Sequence, residues 1–182
     1  QQVAYAEGAA QNSEQANKAG YAAIVAYQKH VDQLVKANAD ENELEKWRTD
    51  GLNSMPSFTE VFYQDERSVA ILTNASLAMF ELQQYDRAIN VAGGLLNRGN
   101  NLSLELRKTA FGIIAQSYFR KNDFARARDH YLQQRTLVQA GTKDYRDISQ
   151  RVAASVYKLA GSLREQQQVQ PAIDQLLSLK TL

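Results

Sequence analysis

The chain has no cysteine and few residues that break helices. Its 182 residues include 9 glycines and 2 prolines. The absence of cysteine excludes disulfides, thiolate metal sites and a cysteine nucleophile. The scarcity of glycine and proline favours long helices over a sheet-rich fold with many turns. No apolar run approaches the roughly 20 residues that span a bilayer, so the sequence predicts no transmembrane segment.

Histidine is also scarce, and its placement does not favour a catalytic or metal site. His30 and His130 are the only histidines, and neither has a second histidine three or four residues away. No nucleophile stands beside His130, and no glycine-rich loop could cradle a phosphate. Gly93 and Gly94 fall inside an apolar helical pattern, where we expect them to permit close helix contact. The sequence therefore predicts no cofactor, no metal and no enzymatic activity.

The net charge of +1 hides an uneven distribution of charge. Residues 1–66 carry 5 Lys and Arg against 11 Asp and Glu, whereas residues 67–182 carry 16 against 9. Two interpretations stay open, a basic surface in the C-terminal part or a solvated helix face that uses arginine as a helix former. Asp123 and Asp129 interrupt the arginines around them, so the pattern does not favour nucleic acid as a partner.

Helical periodicity and capping residues divide the N-terminal part. The alanine-rich residues 2–11 predict a first partial helix, and a long helix follows from a cap at residues 12–15 to about Asn38. Asp40, with Glu43 three residues later, predicts the start of a shorter helix.

We predict that the main interruption between helices lies at residues 51–56, because this segment contains Gly51 and Pro56. Ser57 with Glu60 then predicts the cap of a helix reaching about Leu82. We therefore predict an N-terminal helical region over residues 1–56 and a helical repeat array over residues 57–182.

A six-residue phrase occurs twice and then returns in degraded form, each time with an alanine three residues after an aromatic or apolar residue. The phrase begins at Gln84, Asp123 and Gln168 and places its alanine at 88, 127 and 172. Each copy follows an amphipathic run and a polar turn. This pattern is typical of helical hairpins that stack as repeats, because one hairpin cannot bury its apolar face alone.

The best copy has small residues at Ala115 and Ala127, with bulky residues between them and on either side. These bulky residues are Phe111, Ile114, Tyr118, Phe124 and Tyr131. The pattern resembles the tetratricopeptide repeat (TPR) family over about residues 69–182, with units at about 69–98, 108–140 and 153–182. The alanines are 39 and 45 residues apart, whereas the family repeat is about 34 residues. The resemblance implies an all-α fold of antiparallel helical hairpins stacked into a right-handed solenoid.

The resemblance also implies where a partner binds, because the first helices of TPR hairpins line a concave groove. By position, the groove residues are Thr73, Leu77, Phe80, Glu81, Gln116, Phe119, Arg120, Tyr157, Lys158, Arg164 and Glu165. Aromatic and cationic side chains at these positions suit an extended peptide with some acidic character. Packing of Phe80, Phe119 and Tyr157 between repeats is the alternative. The positions at which some TPR domains grip a C-terminal carboxylate hold Thr73, Leu77, Ile113 and Ala154, which does not favour that clamp.

The pattern predicts a scaffold that binds a peptide or helix of a protein partner. Two alternatives stay open, a non-catalytic helical arm of a larger cell-envelope enzyme and a self-assembly module that stacks or dimerises through Leu176, Leu177 and Leu179. The start at Gln1 and the helical pattern up to Leu182 lead us to expect a segment of a longer protein. Composition, with much Gln, Asn and Ala and no Cys, favours the bacterial periplasm or cell envelope.

Overall fold

The computed structural model describes residues 14–99 and 102–181, which form eight α-helices and one short 3₁₀ helix without a strand. These residues divide into two compact units, the first unit up to Ala78 and the second unit from Met79, with the division inside α3. The predicted all-α fold is confirmed for this part of the chain, whereas the predicted helix over residues 2–11 lies outside it. The helices are α1 (Glu14–Lys36), α2 (Glu41–Val61), α3 (Ser68–Glu81), α4 (Tyr85–Leu96), α5 (Leu104–Arg120), α6 (Phe124–Arg135), α7 (Lys143–Glu165) and α8 (Val169–Leu177), followed by the 3₁₀ helix Ser178–Thr181.

The first two helices begin and end close to where the sequence places them. α1 covers the predicted long helix and buries Ile24 from its apolar stripe. Asp40 caps α2 as predicted, since its carboxylate accepts from the backbone N–H groups of Asn42 at 2.9 Å and Glu43 at 3.3 Å. α1 and α2 then pack against each other.

The predicted break at residues 51–56 is wrong, because α2 runs through this segment to Val61. Gly51 does not end the helix but allows α1 to approach, since a Cβ added there would lie 3.1 Å from Cβ of Tyr27. A proline inside a helix costs roughly 3 kcal/mol. The burial of Leu52, Met55 and Phe58 offsets this cost, each such side chain contributing about 1.5–3 kcal/mol.

The predicted helix from Ser57 to Leu82 is therefore wrong as well. Ser57 lies in the middle of α2, where its hydroxyl donates to the carbonyl of Asn53 at 3.2 Å. The chain leaves the helix instead after Val61 and returns to it at Ser68. The predicted boundary at residue 56 consequently falls inside α2.

The connection between α2 and α3 is held to α1 by the pair Asp65 and Arg67. The Asp65 carboxylate accepts from Nε of Arg67 at 2.8 Å and from Nδ2 of Asn17 on α1 at 2.7 Å. The Arg67 guanidinium lies 4.1 Å from the ring centroid of Tyr21, also on α1. The hydrogen bond from Arg67, the largest cause, holds the pKa of Asp65 well below its usual range. This cluster, named here the Asp65–Arg67 latch, joins two separate parts of the first unit.

Three turns of the second unit share one backbone conformation. Gln83, Asn122 and Gln167 each have a positive φ, between 59° and 62°. In each turn the next N–H bonds back to the carbonyl five residues earlier, for example Asp123 to Tyr118 at 2.9 Å. This left-handed helix end satisfies carbonyls that the helix leaves free and reverses the chain. The repeated phrase in the sequence thus corresponds to a repeated turn, followed by α4, α6 and α8.

The alanines of the repeated phrase are buried as predicted. Ala88 and Ala127 are 0% exposed and Ala172 is 6% exposed. Within the second unit each helix from α4 to α8 packs on the next one along the chain. The core between α5, α6 and α7 consists of Ala115, Ala127, Tyr131, Ile148, Val152 and Val156.

Side chains cap the first turns of several helices in the second unit. Ser103 and Asp123 cap α5 and α6, accepting from the N–H groups of Leu106 and Arg126. Gly141 lies in the connection after α6, which ends at Arg135. Thr142 then caps α7.

Glycines in the second unit differ sharply in their surroundings. A Cβ added at Gly112 on α5 would lie 2.6 Å from Nε2 of Gln134 on α6. That amide is held in place, since it donates to the carbonyl of Lys108 at 3.0 Å. At Gly93 and Gly94 an added Cβ would meet nothing within 4 Å. The prediction that this pair permits close helix contact is therefore wrong, whereas Gly112 does have this role.

We expect Gly112→Ala to lower the free energy of unfolding by about 1–2 kcal/mol, because the overpacking cost of roughly 1–3 kcal/mol exceeds the gain in helix propensity. Gly94→Ala is the matched control, and should raise stability by about 0.5–1 kcal/mol. Urea unfolding followed by circular dichroism measures both. A Gly112→Ala protein as stable as the Gly94→Ala protein would contradict the assigned contact.

We expect Asp65→Asn to lower the free energy of unfolding of the first unit by about 1–3 kcal/mol at pH 7, since charge-assisted hydrogen bonds are lost. The folded pKa of Asp65 is depressed. The contribution is therefore fully present above the unfolded value of about 3.9 and is lost as the pH falls below it. Fluorescence of Trp47, the single tryptophan, reports unfolding of this unit. Asp32→Asn, at an exposed position of α1, is the control. A gap between Asp65→Asn and wild type that is as large at pH 2 as at pH 7 would refute the latch.

Candidate partner-binding groove

A surface groove in the second unit lies between α5 and α7 and has α6 as its floor. Its volume is about 290 Å³. Gln116, Phe119 and Arg120 line one side from α5, and their spacing of three and four residues places them on one helix face. The other lining residues are Tyr131 from α6 and Arg151 and Ala154 from α7. We name this cavity the Arg120–Arg151 groove.

Tyr131 is the buried polar group of the Arg120–Arg151 groove. The residue is only 4% exposed, yet its side chain lines the cavity. Burial raises the pKa of the Tyr131 hydroxyl, while the charges of Arg151 and Arg120 act in the opposite direction. The hydroxyl is therefore neutral at physiological pH.

Phe119 provides the apolar wall of the groove. Its ring meets that of Phe124 edge to face, with centroids 5.3 Å apart, and it packs against the core shared by α5, α6 and α7. Part of the Phe119 side chain therefore packs between helices, as the alternative to partner binding expected. Because Phe119 is half-buried and also lines the groove, its position is set by the core rather than by a partner.

The sequence predicted three of the six lining residues, Gln116, Phe119 and Arg120, and missed Tyr131, Arg151 and Ala154 as groove residues. The third repeat unit was placed at residues 153–182, but α7 begins ten residues earlier, at Lys143. Arg151 therefore lies before the predicted unit, whereas Ala154 lies inside it. Helical spacing carried a signal, because Arg151 and Ala154 share a face with the predicted residue Lys158.

The predicted residues near the end of α7 line a different cavity. Tyr157, Lys158, Arg164 and Glu165 surround a space of about 650 Å³ together with apolar residues of α8. Tyr157 is 69% exposed, so it does not pack between helices as the alternative expected. We name this space the α7–α8 cavity; a partner role for these four residues stays a prediction.

The four predicted groove residues on α3 belong to two units. Thr73 and Leu77 lie in the first, where the Thr73 hydroxyl donates to the carbonyl of Val69 at 2.8 Å and Leu77 is exposed. Phe80 and Glu81 lie in the second, where Phe80 packs on Tyr85 with ring centroids 5.7 Å apart and Glu81 is exposed. Their proposed binding role stays a prediction.

Both histidines pack against aromatic rings of neighbouring helices. His30 meets Trp47 edge to face at 4.3 Å, and His130 stacks on Tyr118 at 5.5 Å with an interplanar angle of 13°. Burial lowers the pKa of His130, against the opposing charge of Asp129. Within residues 14–99 and 102–181, no group of three or more His, Asp or Glu side chains could hold a metal ion.

Two comparisons with known proteins find no match. A scan against protein-family models finds no match, and no curated protein matches the sequence. The TPR resemblance therefore stays a prediction from the residues. Over the described part of the chain, no helix combines the length and apolar character needed to cross a membrane.

We expect the stability of the second unit to fall as the pH drops below about 6.5. The folded pKa of His130 is depressed by burial, so the unfolded chain binds the proton more readily. His130→Phe keeps a ring between Phe111 and Tyr118 but cannot be protonated. Hydrogen exchange of α5 and α6 amides at pH 7.5 and 5.5 measures the difference. Equal loss of protection in wild type and variant would contradict this assignment.

Proposed function

We propose that this protein is a non-catalytic interaction scaffold that binds a peptide or helix of a protein partner in the Arg120–Arg151 groove. The observation that carries the proposal is the lining of that groove. Three consecutive helices supply an aromatic wall, an amide and two guanidinium groups around one surface cavity. Peptide sites need such a combination, with apolar contact for affinity and directed polar groups for register.

The packing of the groove also supports binding without rearrangement. Its floor residue, Tyr131, belongs to the core cluster of α5, α6 and α7. Phe119 is held by Phe124 and by that same cluster. A site whose walls are fixed before the partner arrives loses less side-chain entropy on binding. The TPR resemblance, which also locates the groove on the first helices of the hairpins, agrees with this assignment.

Self-assembly is a second candidate, and the exposed face of α8 favours it. Val169, Ile173 and Leu176 lie on one side of α8 and are 59%, 43% and 42% exposed, and Leu177 is 49% exposed. Leu179, which the sequence assigned to this surface, instead packs partly against the core of the second unit. A second copy could cover the exposed apolar residues. The cell-envelope location and the role as an arm of an enzyme rest on composition and pattern alone.

Site-specific photocrosslinking tests the scaffold proposal. Benzoylphenylalanine is placed at Gln116 in the groove and, as control, at Asn90, an exposed position of α4. The chain is then irradiated in a native extract. We expect a protein captured from Gln116 but not from Asn90, with the crosslinked peptide mapped by mass spectrometry. The synthetic peptide should bind the free chain directly.

The double variant Phe119→Ala/Arg120→Glu completes this test. It should weaken binding of the mapped peptide at least tenfold while leaving the helical circular dichroism unchanged, because Arg120 is exposed and Phe119 is half-buried. Unchanged affinity in the double variant, or capture from both crosslinker positions alike, would refute the groove assignment. Capture of further copies of the chain, with dimers in light scattering, would favour self-assembly.

A further inference from the structure

Arg120 and Arg151 differ from several other cations of the second unit because they have no acidic neighbour. Lys108 pairs with Glu105 at 2.9 Å and with Asp144 at 3.0 Å, and Arg126 pairs with Asp123 at 2.5 Å. Among the described residues no carboxylate oxygen lies within 4 Å of Arg120 or Arg151. Asp147, one helical turn before Arg151, makes no such contact.

These two arginines line one cavity with the buried residue Tyr131, although they come from different helices. Arg120 lies in the last turn of α5 and Arg151 in the first half of α7, and both line the cavity above Tyr131. The charges of both arginines oppose the rise that burial causes in the pKa of the Tyr131 hydroxyl. Other cations also lack an ion pair, such as Lys158 and Arg164, but their cavity contains its own carboxylate, Glu165. The Arg120–Arg151 groove contains none.

The donors of the groove exceed its acceptors. Each guanidinium has five N–H donors and no acceptor, whereas among the lining residues only Gln116 and Tyr131 carry a side-chain oxygen. Gln116 adds an amide on the same side of α5 as Arg120. A carboxylate, which is an acceptor with two oxygens, suits two guanidinium groups that face one space. The neighbouring ring of Phe119 offers an apolar contact for the ligand residue next to that carboxylate.

We infer that the partner peptide carries a carboxylate, held between Arg120 and Arg151 above Tyr131, with an apolar residue next to it against Phe119. This inference rests on the proposed function, since it names the chemistry of the peptide that the groove binds. The carboxylate is that of an Asp or Glu side chain, because Ala154, one of the positions at which some TPR domains grip a C-terminus, carries no polar group here. A preference for a free C-terminus over a Glu side chain would overturn this assignment.

Affinity selection from defined peptide pools tests the inference on the whole 182-residue chain. Four pools of ten-residue peptides share randomised uncharged positions rich in apolar residues. The first carries a central Glu with both ends blocked, the second a central Gln with both ends blocked, the third a central Gln with a free C-terminal carboxylate, and the fourth a central phosphoserine with both ends blocked. Bound peptides are counted by mass spectrometry.

Two double variants accompany the wild-type chain. Arg120→Ala/Arg151→Ala removes both guanidinium groups, and Lys143→Ala/Lys180→Ala removes the same charge at exposed positions outside the groove. We expect the wild type and the lysine variant to prefer the Glu pool over the blocked Gln pool by about tenfold, the effect of one charge-assisted hydrogen bond. The arginine variant should bind these pools equally.

The outcomes separate the inference from the proposed function. Wild-type chain that binds the blocked Gln pool as well as both carboxylate pools overturns the inference and leaves the peptide scaffold standing. An arginine variant that still prefers the carboxylate pools also overturns the inference and leaves the peptide scaffold standing. Preference for phosphoserine over both carboxylates also overturns the inference, in favour of a phosphate ligand. Binding of no pool by any of the three proteins overturns both.

Discussion

The close approach of two helices at a buried alanine, directly after a left-handed turn, is the contact on which the second unit depends. Ala88, Ala127 and Ala172 each follow such a turn by five residues and are buried. A larger side chain there would push the two helices of a hairpin apart. The turn sets the direction of the second helix, and the alanine sets its distance. Together they determine which faces of α5 and α7 are left for a partner.

The groove follows from this geometry, because α6 lies against α5 and α7 and forms the floor between them. At one end of the α5–α6 contact, Gly112 lets the Gln134 amide reach the carbonyl of Lys108. One helical turn earlier on α6, Tyr131 lines the cavity. Binding residues and core residues are therefore neighbours on the same helices, and Phe119 and Tyr131 belong to both sets.

The sequence predicted those parts of the fold that local chemistry controls. The cap at Asp40 and the buried alanines followed from residue type and spacing. Prediction failed where tertiary contacts override local preference. Gly51 is a helix breaker by propensity, but Tyr27 packs against it and α2 continues. The left-handed conformation at Gln83 and Gln167 was also not predictable, because glutamine carries no preference for it.

The site was harder to predict than the fold, because the sequence does not show which cations form ion pairs and which are left for a ligand. The excess of Lys and Arg after residue 66 suggested either a basic surface or a solvated face. In the structure several of these cations are neutralised nearby, as Lys121 is by Asp86 and Arg128 by Asp129. Sequence spacing gave no indication that Arg120 and Arg151, 31 positions apart, would face one cavity without a carboxylate. The net charge of a segment thus says little about its partner, whereas two unpaired guanidinium groups around one buried hydroxyl indicate which ligand would complete them.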